Sequence, residues 1–259
     1  ELETNVGAKL FIRKQEGVSL TEIGETFYRR ANVVIEELRL ANDDIQQSLG
    51  NINGQVSIGV GGSIARTLMP DIIRMFHEDY PRVNVRIVEG QLSSMIHELR
   101  QGTIDFTINT YQQSFLDNEL AYLPLMKRKY HIVVRKGHPL EKHTSIDDFL
   151  TCNWTMPTPI GTQDQILSTF FKNSVAVPKV IVTCETIMSC ISLIMKTDFV
   201  TVMSEDIVND PLLGGGITSI DIDMPLPIAQ FYLIHRKNHA MTPMGNHMVY
   251  LFNRHGDRA

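Results

Sequence analysis

The sequence predicts an α/β chain in which a long helix leads into two similar subdomains, and three observations carry that prediction. From Gln55 onward, short runs rich in Val and Ile alternate with helical patterns, the rhythm of strand and helix units around a parallel sheet. The stretch Thr21–Leu49 holds no proline, and its only glycine, Gly24, sits in the first turn. Ahead of it, residues 1–20 read as a helix end followed by a small hairpin.

In that first segment Gly7 marks a helix stop and Leu10-Phe11-Ile12 a short strand. Arg13–Gly17 is the hairpin tip and Val18–Leu20 the return strand, which together make half of a winged helix. Arg13 and Lys14 at the tip suit phosphate or minor-groove contact, and a solvated turn is an equal alternative. Thr21 is the expected N-cap of the long helix, with Gly24 in place of the acid that a capping box needs. The helix places Phe27, Ala31, Val34, Leu38, Ala41, Ile45 and Leu49 at steps of three and four. That spacing is close to a coiled-coil repeat, and so narrow a stripe predicts pairing with a second copy over packing on its own domain. Gly50–Gly54 then breaks the chain.

The remaining elements follow in order. Gln55–Val60 is a strand, Ile64–Asp79 a helix containing Pro70, Val83–Glu89 a strand, Ser94–Gln101 a helix and Ile104–Asn109 a strand. Leu120–Arg135 reads as two strands separated by Leu123-Pro124-Leu125. Helix Ile146–Leu150, strand Trp154–Met156, helix Gln163–Asn173, strand Val180–Val182, helix Glu185–Lys196 and strand Phe199–Met203 come next. Strands Ile217–Ile222 and Ile228–His235 and a closing helix Pro243–Arg254 complete the pattern.

Composition limits the function classes. With 43% hydrophobic and 20% charged residues the chain has a globular balance, and no apolar run is long enough for a membrane span. The net charge of -5 argues against a nucleic-acid surface over the whole chain; in residues 1–30 five cations balance five acids, which leaves room there for a local basic edge. Three cysteines and no visible signal peptide point to a cytoplasmic protein. Gly59-x-Gly61-Gly62 is not a dinucleotide fingerprint, no phosphate loop exists, and the nine histidines are scattered without ligand spacing. The expectation is therefore no cofactor, no metal and no catalytic constellation.

Binding is the chemistry that remains. Helix N-termini present free N–H groups and a partial positive charge, and α/β sheets place ligands at the carboxyl ends of their strands. Four strand-to-helix turns fit: Gly61-Gly62-Ser63, Gln91–Ser94, Thr158–Thr162 and Glu185-Thr186. The candidate anion-binding residues are Gly62, Ser63, Gln91, Ser93, Ser94, Thr158, Gly161, Thr162, Glu185 and Thr186. Asn109 and Thr110 at the end of a central strand join them; Arg66 reads first as a solvated helix arginine, with a full charge for a carboxylate as its alternative role. An ordinary N-cap is the alternative for each Ser and Thr taken singly.

Leu2-Glu3, Gly7, Leu10-Phe11, Arg13, Leu20-Thr21 and Gly24 resemble the end of the DNA-binding domain of LysR-type transcriptional regulators. The pattern there is LExxLGxxLFxR, a short wing and LTxxG, with Val6 standing here for a leucine. The resemblance continues through Leu68-Met69-Pro70, Tyr80–Val83, Gly102, Asp105, Gly137–Leu140 and Glu185–Leu193, while Thr197-Asp198-Phe199 departs from a common Gly-x-Gly. It implies a two-lobed effector domain of periplasmic-binding-protein-like (type 2) fold behind a linker helix. Residues 1–20 would close a winged helix-turn-helix whose reading helix precedes Glu1, and 21–50 would be the dimerisation helix. Residues 54–254 would sense the effector, with lobe I over 54–124 and 228–254 and lobe II over 128–225. The strands joining the lobes would cross near Leu123–Lys127 and Leu226–Ala229. The implied partners are operator DNA, a small carboxylate effector and further copies of the chain, as a dimer or tetramer. Within the family, Glu89–Leu92, Asp105–Tyr111, Trp154–Pro159 and Cys184–Thr186 are similar to regulators of p-aminobenzoyl-glutamate utilisation, which implies an effector of that kind; a dicarboxylate such as itaconate fits the turns equally well. A solute-binding receptor of the same fold and an α/β enzyme acting on a carboxylate are the other readings.

Overall fold

The computed structural model describes residues 1–14, 17–48, 53–111, 118–158, 160–213, 215–237 and 239–256. The first segment forms α1 (Leu2–Val6), β1 (Phe11–Lys14) and β2 (Gly17–Leu20), the strands pairing antiparallel from Phe11 opposite Leu20 to Lys14 opposite Gly17. Arg13 and Lys14 are exposed at the end of β1, and the tip residues 15–16 lie outside the described residues. The Glu3 carboxylate accepts from the N–H groups of Leu10 at 2.6 Å and Phe11 at 3.1 Å, and these two backbone donors hold it below the usual carboxylate range. They stitch α1 to the hairpin.

Helix α2 (Glu22–Ser48) opens on a Thr21 hydroxyl that accepts from the Gly24 N–H at 2.8 Å. Gly24 is buried because α2 crosses close over the chain at Leu10; a Cβ there would stand 2.0 Å from the Leu10 carbonyl oxygen. Along the expected stripe Phe27 and Ala31 are half-buried, while Val34, Leu38, Ala41 and Ile45 are exposed. Leu49 lies outside the described residues. The far half of α2 docks through polar contacts. Arg39 donates to the Gln55 carbonyl at 3.2 Å and lies 3.8 Å from Asp105, and Glu37 meets His239 at 2.5 Å.

The first lobe begins with β3 (Gly54–Val60), α3 (Gly62–Thr67), α4 (Met69–Asp79), β4 (Val83–Glu89), α5 (Leu92–Gln101) and β5 (Phe106–Thr110). The single helix expected over Ile64–Asp79 is two, because Pro70 lacks an N–H and is tolerated only in the first turn of a new helix, where it sits at the start of α4. Strand β3 runs parallel to both β4 and β5. Strand β11 (Ile228–Arg236) returns antiparallel to β5, and α9 (Pro243–His255) packs on α4. Val56, Ile58, Phe76, Phe106, Phe231 and Phe252 form the centre of this core.

Leu120–Arg135 is one continuous strand, β6, where two were expected. Its register against β11 shifts between Phe231 and Tyr232, so Leu125 has no partner and Pro124 falls beside the bulge. A bulge is where a sheet accepts a residue without a donor, which is why Pro124 does not end the strand. β6 pairs with β11 as far as Lys129 and with β9 from Tyr130, so the first crossing lies just beyond the expected Leu123–Lys127. The second passes at Pro227, whose carbonyl accepts from the Tyr130 N–H at 2.8 Å.

The second lobe is built on β7 (Trp154–Met156), α6 (Ile160–Phe170), β8 (Val180–Thr183), α7 (Ile187–Ile194), β9 (Thr201–Ser204), α8 (Glu205–Val208) and β10 (Ile217–Ser219). The chain order across it is β8, β7, β9, β6, β10, with Trp154 bridging to Val200 just ahead of β9. Residues Ile146–Phe149 form a 3-10 turn where an α-helix was expected, and the short α8 had not been expected at all. Trp154, Phe149, Phe170 and Phe171 fill one core beside β7, and Cys190, Ile191, Ile194 and Met203 a second under α7.

Candidate effector-binding cleft

The two lobes face each other across a cleft of ≈ 730 Å³. One wall comes from the turns after β3, β4 and β5, the other from those after β7, β8 and β9, with Tyr130 on the crossing strand at its base. Each wall is thus made of strand ends and helix starts, because a parallel strand must hand over to its crossover helix at its carboxyl end. The lobes already touch. Arg66 on α3 forms an ion pair with Asp210 beyond α8, and the Gln91 amide approaches the Pro157 carbonyl at 3.4 Å.

Of the candidates, Gly62, Ser63, Gln91, Ser93, Asn109, Thr110, Thr158, Thr162, Glu185 and Thr186 all line this cleft. They play unequal parts. The Thr186 hydroxyl caps α7, accepting from the Ser189 N–H at 3.2 Å, so it is already engaged. Asn109 is buried, donating to the Thr107 hydroxyl at 3.1 Å, and its carbonyl would meet a Cβ on Gly61 at 2.8 Å; it forms the floor. Neither α3 nor α5 has a side-chain cap, so the amides at Gly62-Ser63 and Leu92-Ser93 are not capped by their own N-cap residues. The Thr158 hydroxyl is buried without a hydrogen-bond partner among the described residues. Gln163 fixes that turn, donating to the Thr158 carbonyl at 2.5 Å and to the Thr183 hydroxyl at 3.0 Å.

Two candidates fall elsewhere. Arg66 is spent on Asp210 and also lies 3.8 Å from the Met188 sulfur, outside the cleft lining. Ser94 turns its hydroxyl back onto the Gln91 carbonyl at 2.8 Å, the ordinary use of a serine in a first helical turn. Gly161 lies in the first turn of α6, and its surroundings are outside the described residues.

The sequence reading missed several wall residues. Glu89, His97, Arg100 and Tyr111 come from the first lobe and Ser204 from the second. Ser204 was within reach, since it follows an apolar strand and precedes Glu205-Asp206, the composition of a helix start; it was overlooked because α8 is only four residues long. It stands at the N-cap of α8 yet makes no cap bond, and its buried hydroxyl has no partner among the described residues. Tyr130 is fixed by the sheet, and burial pushes its phenol up to about 12, so it stays protonated as a donor.

Residues 50–256 match the LysR substrate binding domain. The chain belongs to the LysR family. The HTH-type transcriptional regulator TdcA of Escherichia coli K12 is 26% identical to it over 252 residues, covering 97% of this chain and 80% of that protein. Among solved structures, the effector binding domain of QuiR in complex with shikimate aligns with TM-score 0.67 at 19% identity, over 79% of this chain and 97% of that one. Full-length CbnR complexed with its target DNA aligns with TM-score 0.62 at 17% identity, over 98% and 86%. Both share the two-lobed, periplasmic-binding-protein-like architecture described above, and the LysR effector domain is the fold of this chain. Among the described residues no helix is long and apolar enough to cross a membrane, and none form a metal-ligating cluster.

Proposed function

We propose that this LysR-family chain is a cytoplasmic, non-enzymatic regulator that binds operator DNA and senses a small carboxylate between its lobes. The observation that carries the reading is the cleft, walled from both lobes by strand-to-helix turns whose amides favour a negative ligand. Residues 1–20 act as the end of a winged helix-turn-helix, with Arg13 and Lys14 on DNA phosphates. Residues 21–50 form the pairing helix, through Phe27, Ala31, Val34, Leu38, Ala41 and Ile45. Residues 54–254 form the sensor, in which Gly62, Ser63, Gln91, Ser93, Asn109, Thr110, Thr158 and Thr162 contact the effector. TdcA, by its name a transcriptional regulator, and CbnR, solved on its target DNA, support the DNA-binding reading; QuiR, solved with shikimate, supports a small-molecule effector.

Size favours one effector over another. Pockets of about 300–1,000 Å³ hold drug-sized ligands, and a cleft of ≈ 730 Å³ would leave itaconate mostly unenclosed. The apolar side chains Leu92, Ile96, Tyr111, Val202 and Phe231 in the lining suit the aromatic ring of a p-aminobenzoyl-glutamate-like ligand. Such an effector acts by preferring one arrangement of the lobes, and that preference shifts subunit packing and DNA geometry. Thermal denaturation with p-aminobenzoyl-glutamate, benzoate and itaconate tests the sensor, since a ligand at ~100 times its dissociation constant adds roughly 2.7 kcal/mol. Anisotropy of a labelled operator with full-length protein, titrated in salt, tests the reader. Absence of salt-sensitive DNA binding, or no stabilisation by any carboxylate, overturns the proposal.

A further inference from the structure

The charges in the cleft divide it into two ends. The turn after β3 faces an acid from its own lobe: a Cβ on Gly62 would stand 3.0 Å from Glu89 Oε1 and 2.8 Å from Ile187 of the opposite lobe. Glu185, immediately ahead of the α7 cap, adds a second carboxylate to the lining from the opposite wall. Two of the four helix starts thus carry an acid of their own, and a ligand anion placed there would meet like charge. The start of α6 has no acid in its first turn, and that of α5 follows Glu89 in the chain, whose Oε1 lies toward Gly62. The start of α5 has no side-chain cap, and further along the same helix the lining includes His97, bonded to the Gln101 amide at 2.8 Å, and Arg100, 3.6 Å from Glu119. The start of α6 holds the buried, unpartnered Thr158 hydroxyl. On the second lobe Ser204 is 5% exposed and lines the cleft, its hydroxyl has no partner among the described residues, and α8, which it precedes, packs against α3. A buried hydroxyl left unpartnered is costly unless a ligand completes it.

We propose that the effector is a carboxylate that also bears an amino group able to donate N–H bonds. Its amino end lies by Glu89 and Glu185 with the Ser204 hydroxyl, and its carboxylate end meets the starts of α5 and α6. The proposal rests on the carboxylate-sensing reading above and narrows it. The acids act as selectors: a carboxylate accepts only from N–H or O–H, so a ligand that brings a second anion to this end is rejected.

Matched ligands differing only in the amine provide the test. Calorimetric titration of full-length protein compares p-aminobenzoyl-glutamate with benzoyl-glutamate, and p-aminobenzoate with benzoate. The amino member of each pair is expected to bind roughly tenfold or more tightly, since a site built for an N–H discriminates against the analogue lacking it. In Glu89→Gln and in Glu185→Gln, two variants of nearly unchanged shape, that preference shrinks while the desamino member binds as well as before or better. Equal affinity within each pair, or a preference that both variants leave intact, overturns this inference and leaves carboxylate sensing standing. Binding by neither member of either pair, with no stabilisation by itaconate, overturns carboxylate sensing and this inference with it.

Discussion

At the scale of single residues, Ser204 is poor for folding, and the proposed effector would complete it. Its hydroxyl is buried without a partner among the described residues, so Ser204→Ala removes a desolvation cost of about 1–3 kcal/mol instead of a bond. We expect the ligand-free variant to melt at the same temperature or higher while its effector affinity falls; calorimetry on the two states reads both. Gly24 makes the opposite case. Gly24→Ala drives a methyl into the Leu10 carbonyl 2.0 Å away, which backbone on both sides prevents from yielding. The expected loss is upwards of ~1 kcal/mol by urea denaturation, larger than the gain in helix propensity that alanine brings to an exposed site. His131 sets a pH dependence. Burial lowers its folded value below 6.5, against a smaller upward pull from Glu205. The unfolded chain therefore takes up the proton first, and stability falls as pH drops through 6.5, levelling off below the folded value. The urea midpoint of the wild type should drop between about pH 7.5 and 5.5, and His131→Gln should flatten that slope.

At the scale of elements, α2 is the clearest unfinished surface. Val34 is 59%, Leu38 68% and Ile45 58% exposed, and all three lie on the stripe read from the sequence. A single-stranded helix of this length gains its stability from packing an apolar face, so the stripe calls for a second copy. Leu38→Asp places a charge in that seam. We expect analytical ultracentrifugation at micromolar concentration to show dissociation, with the circular dichroism of the lobes retained; an assembly of unchanged mass would remove α2 from the pairing interface. The β6 bulge belongs to the same scale. The sequence separates two strands at Leu123-Pro124-Leu125, yet Leu125 slips out of register beside Pro124 and one strand runs on to Arg135.

At the scale of the whole molecule, one buried cation ties the crossing strand to α8 of the second lobe and to the end of α9 on the first. Arg128 Nε on the crossing strand donates to both oxygens of Asp206 at 2.8 Å, Nη1 donates to the Lys127 carbonyl, and Nη2 reaches the Gly256 carbonyl at the end of α9. Both side chains are buried, and burial pushes the Asp206 carboxyl upward against the pull of Arg128. Removing one partner leaves the other buried and uncompensated, so Arg128→Met alone should cost about 3–5 kcal/mol, while adding Asp206→Leu should recover much of it. Chemical denaturation of the three proteins checks this. Arg66 and Asp210 act differently, joining the lobes at the cleft rim, 21% and 9% exposed. Arg66→Ala should open the lobes with little change in melting temperature, visible as a larger radius of gyration in X-ray scattering without ligand. An unchanged radius would show that the rim pair does not hold the lobes together.

Local chemistry was legible from residues alone. The Thr21 cap, the α2 stripe, the α/β rhythm and the turns that became the cleft walls are all short-range patterns, set by backbone sterics and the two periodicities of burial. Pairwise outcomes across the fold were not. Whether Arg66 faces a ligand or Asp210, whether Ser94 points outward or back, and that Glu89 and Ser204 from opposite lobes line one space depend on contacts between segments far apart in the chain. A side chain's nearest charge is decided by how the lobes close on each other, and in a linear sequence that distance has no signature.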